Sequence, residues 1–211
     1  MTISNNVSKN IFLISDTHLH HANIIKYCHR PYKTAEEMDT DIIQKWNSVV
    51  GPNDIVWHLG DFAFFKRTKE QCETNKELIR MLNGTIHLVL GNHDRHVDNR
   101  LLFWYNMGFG KVYDKPLLFM DNYILSHEPL LTKNKIDLTY HPKLKNIHGH
   151  VHNSNADYYL MTKEEQEKFD EEHPDFGHTP DITKHSFNVS IEVIDYRPIP
   201  FELVVEKMKN A

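Results

Sequence analysis

The stretch DIVWHLGD, Asp54 to Asp61, is a short apolar run closed by a glycine and a carboxylate. It reads as a buried strand that delivers an acid at its end. The pattern occurs twice more. NIFLISD (Asn10–Asp16) ends in an acid, and TIHLVLGNHD (Thr85–Asp94) ends in an amide, an imidazole and an acid. Helical stretches separate the three runs. Thr34-Ala-Glu-Glu37 has the spacing of a capping box. Met38, Ile42, Ile43, Trp46, Val49 and Val50 follow at helical spacing, until Gly51-Pro52 stops the helix. A polar helix is expected from Thr68 to Leu82, stopped by Asn83-Gly84, and another from Val97 to Met107, ending at Gly108. Alternating strand and helix favours a parallel sheet. In open α/β sheets, ligands gather beyond the carboxyl ends of the strands, where these polar residues fall.

The second half is richer in strand, which favours antiparallel additions. LLFMDNYILSH (Leu117–His127) reads as a hairpin turning at Asp121-Asn122. KNIHGHVH (Lys145–His152) reads as a strand and loop, HSFNVSIEVID (His185–Asp195) as a strand, and Pro200 to Met208 as a closing helix. Thr162 to Glu172 is expected to form a charged helix. It lies within Asn153–Lys184, expected as an excursion over the surface. With 211 residues and neither linker nor internal repeat, residues 1–211 are expected to form one domain.

Composition narrows the function. A net charge of -5 disfavours a broad nucleic-acid footprint, though a local positive site for a small anion stays open. Cys28 and Cys72 are the only cysteines and form no CxxC pair, which suits a reducing compartment. The polar start MTISNNVSKN carries no signal-peptide core, and no apolar run approaches a membrane span. A cytoplasmic protein without membrane contact is expected.

The strand-end groups are Asp16-Thr-His18, Gly60-Asp61, Gly91-Asn92-His93-Asp94, Ser126-His127 and His148-Gly-His150-Val-His152. Each piece alone has a plain structural explanation, since strand ends and turns are often polar. Together they supply carboxylate, amide oxygen and imidazole, donors that suit first-row divalent metals. They exceed what one tetrahedral ion needs, so two ions are expected. An ion pair about 3.5–4 Å apart is a recurring clamp for in-line displacement at phosphorus.

In that order, DTH, GD, GNHD, SH and HGHVH resemble the five motifs of the calcineurin-like metallophosphoesterases. HHANIIKYCHRPYKTAEEMD, DIVWHLGDFAF and FNVSIEVIDYRPIPF further resemble a subgroup of small bacterial and phage phosphoesterases. Two departures are GDFAF, where an aliphatic and an acidic residue commonly follow GD, and SHEPL in place of Gly-His. The resemblance implies an α/β fold: a four-layer α-β-β-α sandwich of two mixed sheets flanked by helices. It assigns Asp16, His18 and His152 to one metal, Asn92, His127 and His150 to a second, and Asp61 to both. His93 would face the substrate phosphate, and Asp94 would hydrogen-bond and orient His93. Gly149 would allow a tight turn, leaving His148 to packing or to support of a ligand. Manganese is the first expectation, with iron, zinc and nickel as alternatives.

The activity implied is hydrolysis of a phosphate mono- or diester of a small molecule, such as a nucleotide, by in-line attack of a hydroxide held between the ions. A nuclease using the same centre and a non-catalytic metal-binding scaffold are the rivals. His20, His21, Asn23 and Arg30 are candidate pocket residues, Arg30 either as a guanidinium fork for phosphate or as a structural cap. Arg95 and His96 are further candidates, with a surface role the plainer reading. Phe62, Phe64 and Phe65 either stack on a base or, as the commoner case, join Trp57 and Trp104 in the core.

Overall fold

In a computed structural model, residues 9–64, 69–130, 142–153, 168 and 185–211 are described. The first half winds as β1 (Ile11–Ile14), α1 (Ala22–Tyr27), α2 (Ala35–Val49), β2 (Ile55–His58), α3 (Lys69–Met81), β3 (Thr85–Val89), α4 (Arg100–Met107) and β4 (Lys111–Tyr113). The second half carries β5 (Leu117–Phe119), β6 (Tyr123–Leu125), β7 (Lys145–His148), β8 (Ser186–Asn188), β9 (Ile199–Pro200) and α5 (Phe201–Asn210). Two mixed sheets result, ordered β4-β3-β2-β1-β9 and β5-β6-β7-β8, with helices flanking them.

Strands β1 to β4 are parallel, as their apolar runs require when both faces are covered. Antiparallel pairing is narrower than expected. Among the described residues only β9 on β1 and the β5–β6 hairpin show it, while β6, β7 and β8 run parallel. The chain between β6 and β7, and again between β7 and β8, is long enough for a crossover.

Helix α2 follows its sequence closely. Thr34 Oγ1 accepts from the Glu37 amide at 3.2 Å, and the Glu37 carboxylate reaches back to the Lys33 amide at 2.8 Å. Met38, Ile42 and Trp46 face the core with no exposed surface. Burial of such side chains stabilises by about 1.5–3 kcal/mol each. Buried Asp39 accepts the His20 amide and pairs with His20 Nδ1 at 2.7 Å, tying α2 to the loop after β1.

Two boundaries depart from the sequence reading. The expected helix from Val97 starts only at Arg100, preceded by a 3-10 turn at His93–Arg95. The expected strand His185–Asp195 stops at Asn188, and Ile191–Ile194 is a 3-10 turn. The Asn188 side-chain oxygen accepts the Ser190 amide at 2.9 Å, a local bond that competes with the strand ladder. Apart from Lys168, the expected charged helix at 162–172 lies outside the described residues.

The sheets meet where β1 and β8 end. Ser15 donates its amide to the Val189 carbonyl at 2.9 Å and accepts from the Ile191 amide at 3.1 Å. This seam places the loop after β1 beside the loop after β7. No helix among the described residues is long and apolar enough to cross a membrane.

Candidate metal centre

The strand ends β1, β2, β3, β6 and β7 bring all seven expected ligands together. Asp16 is fully buried. Its Oδ2 accepts the His150 amide at 2.8 Å and the Ser190 hydroxyl at 3.0 Å. Its Oδ1 has no hydrogen-bond partner among the described residues and lies 3.7 Å from His152 Nε2. His18 Nε2 is also buried with no hydrogen-bond partner among the described residues, 3.5 Å from Asp61 Oδ2. Asp16, His18 and His152 thus offer atoms at one seat.

The second seat is tighter. Asn92 Oδ1 lies 2.8 Å from His127 Nε2 and 3.2 Å from His150 Nδ1, and those two nitrogens are 3.1 Å apart. His127 Nδ1 donates to the Leu59 carbonyl at 2.8 Å, which leaves Nε2 as the ring atom that can serve a cation. Lone pairs converge on that seat, as a cation requires. Asp61 stands between the two. Its Oδ2 is 3.5 Å from both His18 Nε2 and His127 Nε2, while Oδ1 is held by the His93 amide at 2.9 Å.

Burial first, then the carboxylates of Asp94 and Asp16, push the Asp61 carboxyl up to about 7 against the opposing pull of His127. Asp16 moves the other way. Burial would raise it, but the imidazoles of His152, His127 and His18 hold it below the ordinary range. Burial alone would lower His152. The carboxylates of Asp16 and Glu192 outweigh it and raise the imidazole well above 6.5. Backbone strain accompanies this packing. Asp16, His18, Asp61, His150 and His152 all have positive φ, between 46° and 72°. Each costs about 1 kcal/mol, tolerable for Asp and His and typical of a functional site.

Two glycines owe their place to close approach. A Cβ on Gly149 would lie 2.0 Å from Ser15 Oγ, and one on Gly91 2.1 Å from Asp61 Oδ1. The tight turn expected at Gly149 is therefore secondary to the contact between loops.

His93 sits at the mouth, its side chain nearly half exposed and its Nε2 4.0 Å from Asp61 Oδ2. Burial lowers its pKa. Asp94 does not orient it by hydrogen bond. Its carboxylate accepts the amides of Asp61 (2.7 Å), Gly91 (2.8 Å) and Phe62 (3.2 Å), fastening the loops after β2 and β3 together. Arg30 is likewise not a phosphate fork. It is buried, donating to the carbonyls of Asp16 (2.7 Å) and Thr17 (2.9 Å) and paired with Glu192 at 2.6 Å. Arg95 pairs with Asp114 at 3.4 Å. His21 remains at the mouth, its ring 6.2 Å from that of His93 and stacked on exposed Phe64 at 4.9 Å. Phe62, Trp57 and Trp104 are core residues, and Phe65 lies outside the described residues. His148 is packing: fully buried, bonded to the Gly149 carbonyl and Ser186 Oγ, and pushed down to about 4 by burial.

Several supports have no counterpart in the motif reading. His58 Nδ1 accepts the Gly60 amide at 3.2 Å, so its Nε2 donates to Thr17 Oγ1 at 2.9 Å, bracing the loop that carries Asp16 and His18. Ser186, Asn188, Ser190 and Glu192 form a polar row under HGHVH. They bond respectively to His148, the His152 carbonyl, Asp16 and the His152 ring. Their alternation with apolar residues in SFNVSIE was the available signal: a buried strand with one polar face needs polar partners.

The family model for calcineurin-like phosphoesterase matches residues 9–200. The chain belongs to that family. Calcineurin-like phosphoesterases are metal-dependent, and the clustered His and Asp donors fit divalent ions. The chain is 34% identical over 203 residues to an uncharacterized protein, MJ1445, of Methanocaldococcus jannaschii, covering 96% of this chain and 93% of that one. It is 27% identical over 161 residues to the gene 66 protein of Mycobacterium phage D29, covering 68% of this chain and 78% of the phage protein. A protein of unknown function from Aquifex aeolicus, AQ665, has the same fold. The TM-score is 0.59 at 23% identity, over 94% of this chain and 98% of that one.

Proposed function

We propose that this calcineurin-like phosphoesterase hydrolyses phosphate mono- or diesters of a small molecule, such as a nucleotide, using two divalent ions with manganese foremost. The supporting observation is Asp61 Oδ2, equidistant at 3.5 Å from an imidazole of each seat. Asp16, His18 and His152 would hold one ion, and Asn92, His127 and His150 the other. Bound there, the ions supply Lewis acidity and lower the pKa of water from 15.7 towards about 7. The chain's own residues do the rest. Asp61 ties the seats together, and the His93 amide bond to Oδ1 leaves Oδ2 facing both. His93 Nε2 stands at the open side, where it stabilises charge on a phosphoryl oxygen or protonates the departing alkoxide. Such a group contributes about 10²–10⁴-fold.

Phe64, with Ala63, His96 and Val97, lines a cavity of about 90 Å³ that reaches His18 and His93, and His21 stacks on Phe64. That wall suits a flat or apolar ester group. Arg30 and Arg95 are engaged by Glu192 and Asp114, and the net charge is -5, which favours a small ester over a nucleic-acid backbone. Both cysteines are free, consistent with a reducing cytoplasm.

The test is a panel of aryl mono- and diesters, nucleotides and DNA with manganese-loaded protein. Small esters should be hydrolysed and DNA spared. His93→Ala should lose about 10²–10⁴-fold in kcat with both ions still bound, and Asp61→Ala should be inactive. Full activity in both variants would remove the reading.

A further inference from the structure

Glu192 lies 174 residues beyond the last residue of the DTH motif, in no metal-binding motif, yet its carboxylate is buried directly against a metal-seat imidazole. His152 Nδ1 meets Glu192 Oε1 at 2.9 Å. The same oxygen accepts from Arg30 Nε at 2.8 Å and Nη2 at 2.6 Å. Arg30 continues to the carbonyls of Asp16 and Thr17 at 2.7 and 2.9 Å. One buried chain therefore runs from the backbone of the first motif through guanidinium and carboxylate to the His152 ring. The side chains of Arg30 and Glu192 are 0% and 3% exposed, so water does not substitute for either partner.

We infer that Glu192, clamped by Arg30, is the positioning residue that builds the first metal seat. A carboxylate accepting from Nδ1 leaves the Nε2 lone pair free and fixes the plane of the ring. Nε2 is the ring atom facing Asp16 Oδ1, 3.7 Å away. Arg30 holds the same Glu192 oxygen that meets the ring, and its bonds to the Asp16 and Thr17 carbonyls keep Asp16 and His18 in step with His152. The second seat has its own support in the Leu59 carbonyl, bonded to His127 Nδ1 at 2.8 Å. Disturbing Glu192 should therefore weaken one seat and spare the other. This deepens the proposed function but is read out by metal binding, not turnover.

The experiment titrates manganese into the full chain and its Glu192→Gln variant, counting ions by calorimetry and following spin coupling by electron paramagnetic resonance. The wild type should bind two ions and show a coupled pair. Glu192→Gln should weaken one of the two sites by about 10–100-fold and leave the other unchanged. At limiting manganese the spectrum should become that of an isolated ion. Glu192→Ala leaves the Arg30 charge buried alone and is liable to misfold. Arg30→Met combined with Glu192→Leu removes both charges together and should fold while showing the same loss of one site. Nitrogen-detected NMR of the metal-free protein should find His152 protonated at Nδ1 in the wild type and free to change in the double variant. Two undiminished sites in both variants, or an unchanged His152, would overturn the inference. A wild type binding fewer than two ions would overturn it together with the metal centre. Two ions without hydrolysis of any ester would sink the proposed activity alone and leave this assignment standing.

Discussion

At the scale of single residues, the centre depends on contacts that leave no room for a methyl group. The amide of Gly149 donates to the His127 carbonyl at 2.9 Å, while its missing Cβ lets Ser15 and Asp16 lie against the loop. Gly149→Ala should push these loops apart. The expected cost is about 1–3 kcal/mol, or more if the seam cannot yield. Manganese affinity should fall at the first seat because Asp16 is displaced. Thermal unfolding and a manganese titration check both effects, and an unchanged melting point with unchanged affinity would refute the packing argument. Residue types at the strand ends were legible in the sequence because donors for a metal are few in kind: DTH, GD, GNHD, SH and HGHVH hold the seven side chains that the fold brings together. The roles of Arg30 and Asp94 were not legible. A guanidinium or carboxylate beside a motif reads as chemistry until its partners are known. Those partners are Glu192, 162 positions away from Arg30, and three backbone amides that no side-chain pattern encodes.

At the scale of elements, local rules governed wherever the signal was local. Helix α2 carries cap, spacing and stop within its own residues, and the structure follows it from Ala35 to Val49. Thr34→Ala removes the bond to the Glu37 amide and should cost about 1 kcal/mol. For a chain of this size that is a drop of about 2–4 °C in melting temperature, measurable by calorimetry. Activity should be unaffected, since the cap lies outside the centre. Strand β8 shows the opposite case. Its alternation SFNVSIEV is that of a strand throughout, yet the ladder ends at Asn188. A local bond and tertiary partners decide there: Asn188 turns the backbone at Ser190, and Glu192 is drawn to His152 and Arg30. The parallel pairing of β6, β7 and β8 was equally hidden, because strand direction depends on where the intervening chain crosses rather than on the strands' own residues.

For the whole molecule, proton and metal compete for one fold. Asp61 titrates near 7 in the folded chain, against an ordinary value of 3.8. Between those values the folded metal-free chain holds a proton that the unfolded chain has lost. This group's contribution is therefore fully present below about pH 4 and is lost as pH rises to about 7. His58 and His148 act in the reverse sense. Burial pushes them down to about 3 and about 4, so their contribution is present above 6.5 and is lost as pH falls towards those values. From about pH 6.5 to 4 the two histidines outweigh the one carboxyl. These three groups by themselves leave a net one-proton difference, a loss of about 1.4 kcal/mol for each pH unit of acidification. A divalent ion requires Asp61 deprotonated and so removes its compensating term. Stabilisation by manganese should thus shrink by at least about 1.4 kcal/mol for each unit of pH below 7. Melting temperatures with and without manganese at pH 5.5 and 8 measure the difference, which should be larger at pH 8. Equal stabilisation at both values would mean that no ligand exchanges a proton for the ion, and that Asp61 does not stand between the seats in the way its two 3.5 Å approaches indicate.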